Sequence, residues 1–140
     1  MFKNKRTVHI EWGDCDSAQI VFYPRYFAFF DSSTHYLFEA AGYPKKRIVK
    51  EFGVIGFPMV DTRAKFYIPS TYGDDIDIVS TVTEFRNSSF DVHHQVFKGD
   101  KLALEGFETR VLVGPHPDKP GALKSCAIPK EIVERFSRDS

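Results

Sequence analysis

The segment from Pro24 to Ala41 constrains the fold more than any other, because it predicts a long helix that is apolar on most of its sides. Pro24 suits the first turn of a helix, where its missing N–H costs little, and Gly42 is typical of a helix end. One apolar face contains Phe27, Phe30, Leu37 and Ala41. The adjacent face, also apolar, contains Tyr26, Phe29, Tyr36 and Ala40. Such a helix needs cover on most sides, so we expect it to be central and buried.

Segments with the patterns of β-strands lie on both sides of this helix in the sequence. The first predicted strand is Thr7–Trp12, and a short basic helix is predicted from Pro44 to Phe52. The later predicted elements are strands at Val54–Tyr67, Asp75–Thr83, Phe90–Phe97 and Leu102–Val113, a hairpin turn at Gly99-Asp100, a loop at Gly114–Gly121, and a terminal helix at Pro129–Phe136. One buried helix followed by antiparallel strands predicts an α+β fold with a curved sheet around the helix. No linker or repeat interrupts the sequence, so residues 1–140 are expected to form one domain.

Composition limits the function classes. The formal net charge is zero, which gives no broad positive field for nucleic acid. The 14 Phe residues indicate a dense core or a large subunit interface. Cys15 and Cys126 provide no disulfide framework, and no apolar run is long enough to span a membrane. We therefore expect a cytoplasmic protein with no membrane and no nucleic-acid partner.

An acidic loop, Gly13–Phe22, precedes the long helix. A carboxylate such as Asp16 near a helix N-terminus stays ionised, and the free N–H groups there stabilise an oxygen that becomes negative during a reaction. The N–H of Tyr23 is one such donor. This combination suits hydrolysis of an activated acyl group, but a simple Asp-rich turn with a capping acid is an alternative. Asp14 is expected to point the same way as Asp16, and turn formation is the preferred interpretation for it.

The motif from Asp14 to Phe27, Asp-x-Asp and then aromatic-aromatic-Pro-x-Tyr-Phe, resembles the hotdog-fold acyl-CoA thioesterases, and most closely the 4-hydroxybenzoyl-CoA thioesterase type. Further motifs follow in family order over residues 7–133, namely Ala40–Pro44, Gly53–Val60, Ala64–Phe66, Tyr72–Asp74 and Glu84–Phe90. The resemblance implies a hotdog fold, an acyl-CoA substrate and no separate cofactor, coenzyme A being part of the substrate. It also implies a homodimer or homotetramer with active sites at the interface between subunits.

The resemblance implies a role for each matching residue. Asp16 matches the catalytic acid, acting as nucleophile or as general base, and the backbone amide of Tyr23 matches the group that polarises the thioester carbonyl. Asp31 matches an acid that meets the ring hydroxyl of a hydroxybenzoyl group. Phe57 stands in the acyl pocket where that enzyme has a small hydroxyl residue.

Arg86 and Ser89 match positions near the coenzyme A phosphates, although Asn87 and Ser88 between them are less basic than in a related enzyme. Gln19 stands where the family often has glycine.

Several alternatives remain open at this level. Asp31 can instead pair with His35 four residues later. A metal on Asp31, His35 and Glu39 is disfavoured because the first and last are far apart on one helix. A hotdog hydratase or dehydratase is disfavoured because the Asp16 loop contains no His. Only the Asp16 motif argues against a non-catalytic acyl-CoA binding module.

Overall fold

One five-stranded antiparallel sheet, in the order β1-β3-β4-β5-β2, forms most of the fold in the computed structural model, which describes residues 1–139. The strands are β1 Lys3–His9, β2 Met59–Phe66, β3 Asp75–Phe85, β4 Ser89–Lys98 and β5 Lys101–Val111, with a small hairpin of β6 Val113–Pro115 and β7 Leu123–Ser125. The helices are α1 Tyr23–Ala40, α2 Lys45–Phe52 and α3 Lys130–Phe136. The α+β arrangement predicted from the sequence is confirmed.

The long helix α1 crosses the sheet at very short range. At Gly106 of β5, an added Cβ atom would lie 2.4 Å from Cε2 of Phe30, so only glycine allows the helix to come this close. Phe30 in turn stacks on His94 of β4, with ring centroids 4.8 Å apart. The contact between helix and sheet is therefore tight at the centre of the sheet.

Two hydrophobic clusters flank this contact. One contains Ile10, Val21, Tyr26, Ile76, Ile78, Val96 and Leu104. The other is rich in aromatic rings and contains Phe38, Phe57, Phe90, Phe136 and Leu37. Much of the Phe surplus is thus core.

Four details of the sequence prediction are wrong. Helix α1 is covered on one face only, and Tyr36 and Ala40 are exposed because the single sheet does not reach around it. The first strand is Lys3–His9, and Trp12–Asp14 form a 3₁₀ turn instead. The predicted strand Val54–Tyr67 is shortened to β2, and the first two residues of the predicted loop Gly114–Gly121 belong to β6, which pairs with β7. No helix among residues 1–139 is long and apolar enough to cross a membrane.

Candidate active site

Asp14 is the last residue of the 3₁₀ turn Trp12–Asp14, at the start of the acidic loop. Its Oδ2 accepts a hydrogen bond from the Glu11 N–H at 2.9 Å, and its Oδ1 accepts one from Arg25 Nε at 3.0 Å. Asp14 is buried whereas Asp16 is exposed, so the expectation that both carboxylates point the same way is wrong. The 3₁₀ turn ends the extended geometry that this expectation assumed. Turn formation is confirmed as the role of Asp14.

Asp16 lies in a loop whose ends are joined by a β-bridge between Cys15 and Val21. The Asp16 N–H donates to the Ile20 carbonyl at 3.0 Å, and the Ala18 N–H donates to Asp16 Oδ1 at 2.8 Å. Within residues 1–139 nothing donates to Oδ2. The carboxylate lines a cavity of about 440 Å³ together with Trp12, Cys15, Ser17, Gln19, Thr71 and Tyr72. One oxygen of Asp16 is thus held by the backbone, and the other accepts no hydrogen bond from residues 1–139.

Gln19, which stands where the resembled family often has glycine, has a backbone conformation that favours glycine. Its φ is 67°, in the left-handed region that favours glycine. The Thr71 hydroxyl donates to the Gln19 carbonyl at 2.7 Å and ties the Asp16 loop to the segment before β3. The loop is therefore anchored at its tip as well as at its base.

Tyr23 is the first residue of α1. Its N–H donates to no acceptor within residues 1–139 and lies at the positive end of the helix dipole. Its exposed ring lies edge-on to Phe22, with centroids 5.6 Å apart. Tyr23 lines an apolar cavity of about 300 Å³ with Ile20, Val21, Tyr26, Phe66, Tyr67, Ile68 and Pro69. Asp16 is not in that lining, so one chain presents these two residues to different cavities.

Asp31 and Phe57 are brought together in a third cavity, of about 360 Å³. Asp31 Oδ1 accepts a hydrogen bond from Arg110 Nη2 at 2.8 Å, while His35 Nε2 is 4.0 Å away. The main partner of Asp31 is thus Arg110 rather than His35, which was the alternative partner predicted from the helix spacing. Phe57 is buried, and its ring stacks on His35 and Phe38 at centroid distances of 5.1 Å and 4.8 Å. Burial lowers the pKa of His35, which favours the neutral form of the ring.

A buried polar cluster lies behind this cavity, and the sequence analysis missed it. Glu108 accepts hydrogen bonds from Arg110 Nε at 3.0 Å and from the Thr34 hydroxyl. His94 Nε2 lies 3.4 Å from Glu108, and the Ser80 hydroxyl lies 2.7 Å from His94 Nδ1. A usable sequence signal was that Glu108 and Arg110 fall on the same face of β5 as Leu104, because side chains two apart on a strand share a face.

Arg86 and Ser89 lie together at the turn between β3 and β4. Arg86 Nε donates to the Ser89 hydroxyl at 2.8 Å, and its Nη atoms pair with Asp91 at 2.6 Å and Glu84 at 3.0 Å. The Arg86 guanidinium holds the pKa of Asp91 below its ordinary value. Two carboxylates therefore compete with any phosphate for this arginine.

Asp31, His35 and Glu39, the three residues considered as metal ligands, do not all line the same cavity. Asp31 and His35 line the same cavity, whereas Glu39 lines a different one with Arg6 and Tyr36. Within the described part of the chain, no group of three His, Cys, Asp or Glu side chains is placed to hold a metal ion.

Comparisons with known proteins identify the family of the chain. The model of the thioesterase-like superfamily matches residues 10–136. A 4-hydroxybenzoyl-CoA thioesterase from Pseudomonas sp. (strain CBS-3) is 31% identical over 134 residues, covering 91% of this chain and 93% of that protein. A 1,4-dihydroxy-2-naphthoyl-CoA hydrolase from Crocosphaera subtropica is 32% identical over 117 residues, covering 79% and 80%.

The fold is also similar to that of a known crystal structure. It is that of an Asp-to-Asn variant of 4-hydroxybenzoyl-CoA thioesterase with 4-hydroxybenzoyl-CoA bound, and it superposes with a TM-score of 0.87 at 28% identity over 97% of this chain and 99% of that one. The hotdog fold is confirmed, and the alternatives of a hydratase and of a non-catalytic module are set aside. The chain belongs to the thioesterase-like superfamily and is an acyl-CoA thioesterase.

Proposed function

We propose that this thioesterase hydrolyses aromatic acyl-CoA thioesters of the 4-hydroxybenzoyl type, with Asp16 as the reacting carboxylate. The observation that carries the proposal is the state of Asp16, which is exposed, lines a cavity and has only Oδ1 held by a hydrogen bond, from the Ala18 N–H at 2.8 Å. The proteins to which the chain is similar are named for 4-hydroxybenzoyl-CoA and 1,4-dihydroxy-2-naphthoyl-CoA, both of which are aromatic acyl thioesters.

Two routes are open to Asp16. In the first, its carboxylate attacks the thioester carbonyl, the C–S bond breaks, coenzyme A leaves as a thiolate, and water then hydrolyses the mixed anhydride. In the second, Asp16 takes a proton from water as the water attacks the same carbon. In both routes negative charge develops on the carbonyl oxygen, and the Tyr23 N–H is the donor proposed to stabilise it.

For the acyl group, we propose that Asp31 and Phe57 form the distal end of the pocket. A carboxylate accepts a hydrogen bond from a ring hydroxyl, and the Phe57 ring offers an apolar wall. Phe57 has no hydroxyl of its own, so Asp31 is the principal group there for recognising a phenol.

For coenzyme A, Arg86 and Ser89 remain the proposed phosphate contacts. Arg86 already pairs with Glu84 and Asp91, so a phosphate would share the guanidinium rather than meet a free cation. Phosphate binding through this arginine is therefore expected to be weak and sensitive to salt.

We also propose that the active form is a homodimer or a larger homo-oligomer. Strand β2 is at the edge of the sheet, and Val60, Phe66 and Tyr67 are each at least half exposed in the single chain. An exposed apolar edge strand is a site for pairing with another chain. A second copy also offers a way to combine the cavities of Asp16, Tyr23 and Asp31, which the single chain keeps apart.

The decisive test of the catalytic proposal is Asp16→Asn, with Ser17→Ala from the same cavity as the matched control. Free thiol released from 4-hydroxybenzoyl-CoA is followed with a thiol-reactive dye. We expect kcat to fall by roughly 100-fold or more in Asp16→Asn and to stay near the wild-type value in Ser17→Ala. Calorimetry should show that Asp16→Asn still binds the substrate. Near-wild-type turnover would remove Asp16 from the mechanism.

The acyl preference is tested with 4-hydroxybenzoyl-CoA, benzoyl-CoA and an aliphatic octanoyl-CoA. A site that hydrogen-bonds a substrate hydroxyl strongly rejects the analogue without it, so a large ratio of kcat/KM is expected for the first two. Equal values would end the hydroxybenzoyl assignment and leave a thioesterase of broader preference.

The assembly is tested with Val60→Asp on the β2 edge, with Val49→Asp on the exposed side of α2 as control. Sedimentation should give at least a dimer for the wild type and the control, and a smaller species with less activity for Val60→Asp. A stable, active wild-type monomer of about 16.1 kDa would contradict the proposal.

A further inference from the structure

Glu108 and Arg110 form an ion pair that is almost completely buried. The two side chains are 0% and 3% exposed. Burying such a pair costs desolvation energy, and apolar residues of similar volume often stabilise a fold equally well. The burial of this pair therefore points to a role besides stability.

The contacts of Arg110 point to that role. Its Nη2 donates to Asp31 Oδ1 at 2.8 Å, and its Nη1 donates to the Phe57 carbonyl at 3.2 Å. Asp31 is 52% exposed and lines the cavity assigned to the acyl group. One planar guanidinium thus fixes both the carboxylate and the backbone of the two residues proposed to hold the acyl ring.

Arg110 is itself held in place from behind. Its Nε and Nη2 donate to the two carboxylate oxygens of Glu108 at 3.0 Å and 3.2 Å, a bidentate arrangement with little freedom. Glu108 in turn accepts from the Thr34 hydroxyl on helix α1. The chain of contacts runs from the interior of the sheet to the exposed oxygen atoms of Asp31.

From these contacts we propose that Arg110 is a positioning residue for Asp31, that Glu108 fixes Arg110, and that discrimination for a hydroxyl on the acyl ring depends on this buried pair. Arg110 uses one carboxylate oxygen of Asp31 and leaves Oδ2 for the ring hydroxyl. The inference rests on the proposed function, because it assumes that Asp31 meets the acyl group.

Lysine at position 110 keeps the charge but cannot donate to Glu108, Asp31 and Phe57 at once. In Arg110→Lys we expect the ratio of kcat/KM for 4-hydroxybenzoyl-CoA over benzoyl-CoA to fall by roughly 10- to 100-fold. Benzoyl-CoA turnover should fall by a smaller factor than 4-hydroxybenzoyl-CoA turnover, since both substrates contact Phe57 but only the second has a hydroxyl to align with Asp31. Arg6→Lys is the matched control, because Arg6 is a half-buried arginine that donates to the Ser33 hydroxyl and the Phe29 carbonyl on the same helix.

A double-mutant cycle separates positioning from general damage to the fold. Asp31→Ala should lower the ratio of kcat/KM for 4-hydroxybenzoyl-CoA over benzoyl-CoA, as Arg110→Lys does. The ratio in the double variant should be little lower than in either single variant, because both substitutions remove the same interaction. If Arg110→Lys does not fold, the paired variant Glu108→Gln with Arg110→Gln removes both buried charges together and should show the same loss.

The outcomes separate this inference from the function on which it rests. Equal kcat/KM for the two substrates in the wild type overturns both. A wild-type preference that persists in folded Arg110→Lys, or in the paired variant, overturns only the role of Arg110. Losses that multiply in the double variant, or an equal loss in Arg6→Lys, also overturn it.

Discussion

Acid stability offers the most quantitative test of the buried cluster. Burial raises the pKa of Glu108, but hydrogen bonds from His94 and Arg110 outweigh this and hold the pKa at about 2, against an ordinary 4.5. The unfolded chain therefore binds a proton near pH 4.5 that the folded chain does not bind until about pH 2. The stability from this group is fully present above pH 4.5 and is lost as pH falls towards 2. The difference of about 2.5 pH units corresponds to a contribution on the order of 3 kcal/mol.

Glu108→Gln removes this titration while keeping a side chain of the same shape. The free energy of unfolding is measured by urea denaturation at several pH values between 3 and 7, with Glu51→Gln as the control. Glu51 pairs with Arg47 on the exposed surface of α2, where such a pair contributes about 0–1 kcal/mol.

At pH 7 we expect Glu108→Gln to be less stable than the wild type, because Arg110 loses its buried counter-ion. Below pH 4.5 the two curves should converge by about 1.4 kcal/mol per pH unit, since only the wild type takes up the extra proton on unfolding. Curves that stay parallel from pH 7 to pH 3 would refute the assignment of Glu108 as a buried carboxylate that is ionised in the folded state.

Other predictions concern the fold and the coenzyme A contact. Gly106→Ala should cost roughly 1–3 kcal/mol, seen as a lower Tm, because the new Cβ would lie 2.4 Å from the Phe30 ring; an unchanged Tm would contradict the close crossing of helix and sheet. Gly53→Ala should cost about 1 kcal/mol because φ is 65° there, whereas Gly13→Ala, with φ outside the left-handed region, should not show this penalty. Arg86→Ala should raise KM for acyl-CoA at low salt while leaving kcat near the wild-type value; an unchanged KM would remove Arg86 from coenzyme A binding.

Elements with strong local signals were predicted well from the sequence. Helix α1 begins at Tyr23, next to Pro24, and ends just before Gly42, because proline and glycine act on the backbone within one turn. Strand β3 alternates between buried and less buried residues from Asp75, as expected of a strand with one face in the core.

Elements that depend on distant partners were predicted less well. Strand β1 pairs from Lys3↔Thr81 to His9↔Asp75, and its polar sequence gives little sign of a strand before Thr7. The contact between Asp31 and Arg110 joins residues 79 positions apart, so no local spacing indicates it. Helix periodicity suggested His35, which is close in sequence but lies 4.0 Å away in the structure.

The aromatic surplus connects the fold to the proposed site. The sequence left open whether it served a core or an interface, and the structure divides it between a buried set around Phe38 and an exposed set. Three of the exposed aromatic residues, Tyr23, Phe66 and Tyr67, line one cavity where α1 begins and β2 ends, and the Phe22 ring packs edge-on against Tyr23. The free Tyr23 N–H lies at the same place, so a surface suited to covering by a second chain adjoins the donor proposed for catalysis. A dimer formed through this surface would bury the region in which the thioester carbonyl must be held. Excluding water there would strengthen the interaction between the Tyr23 N–H and the negative charge that develops on the carbonyl oxygen.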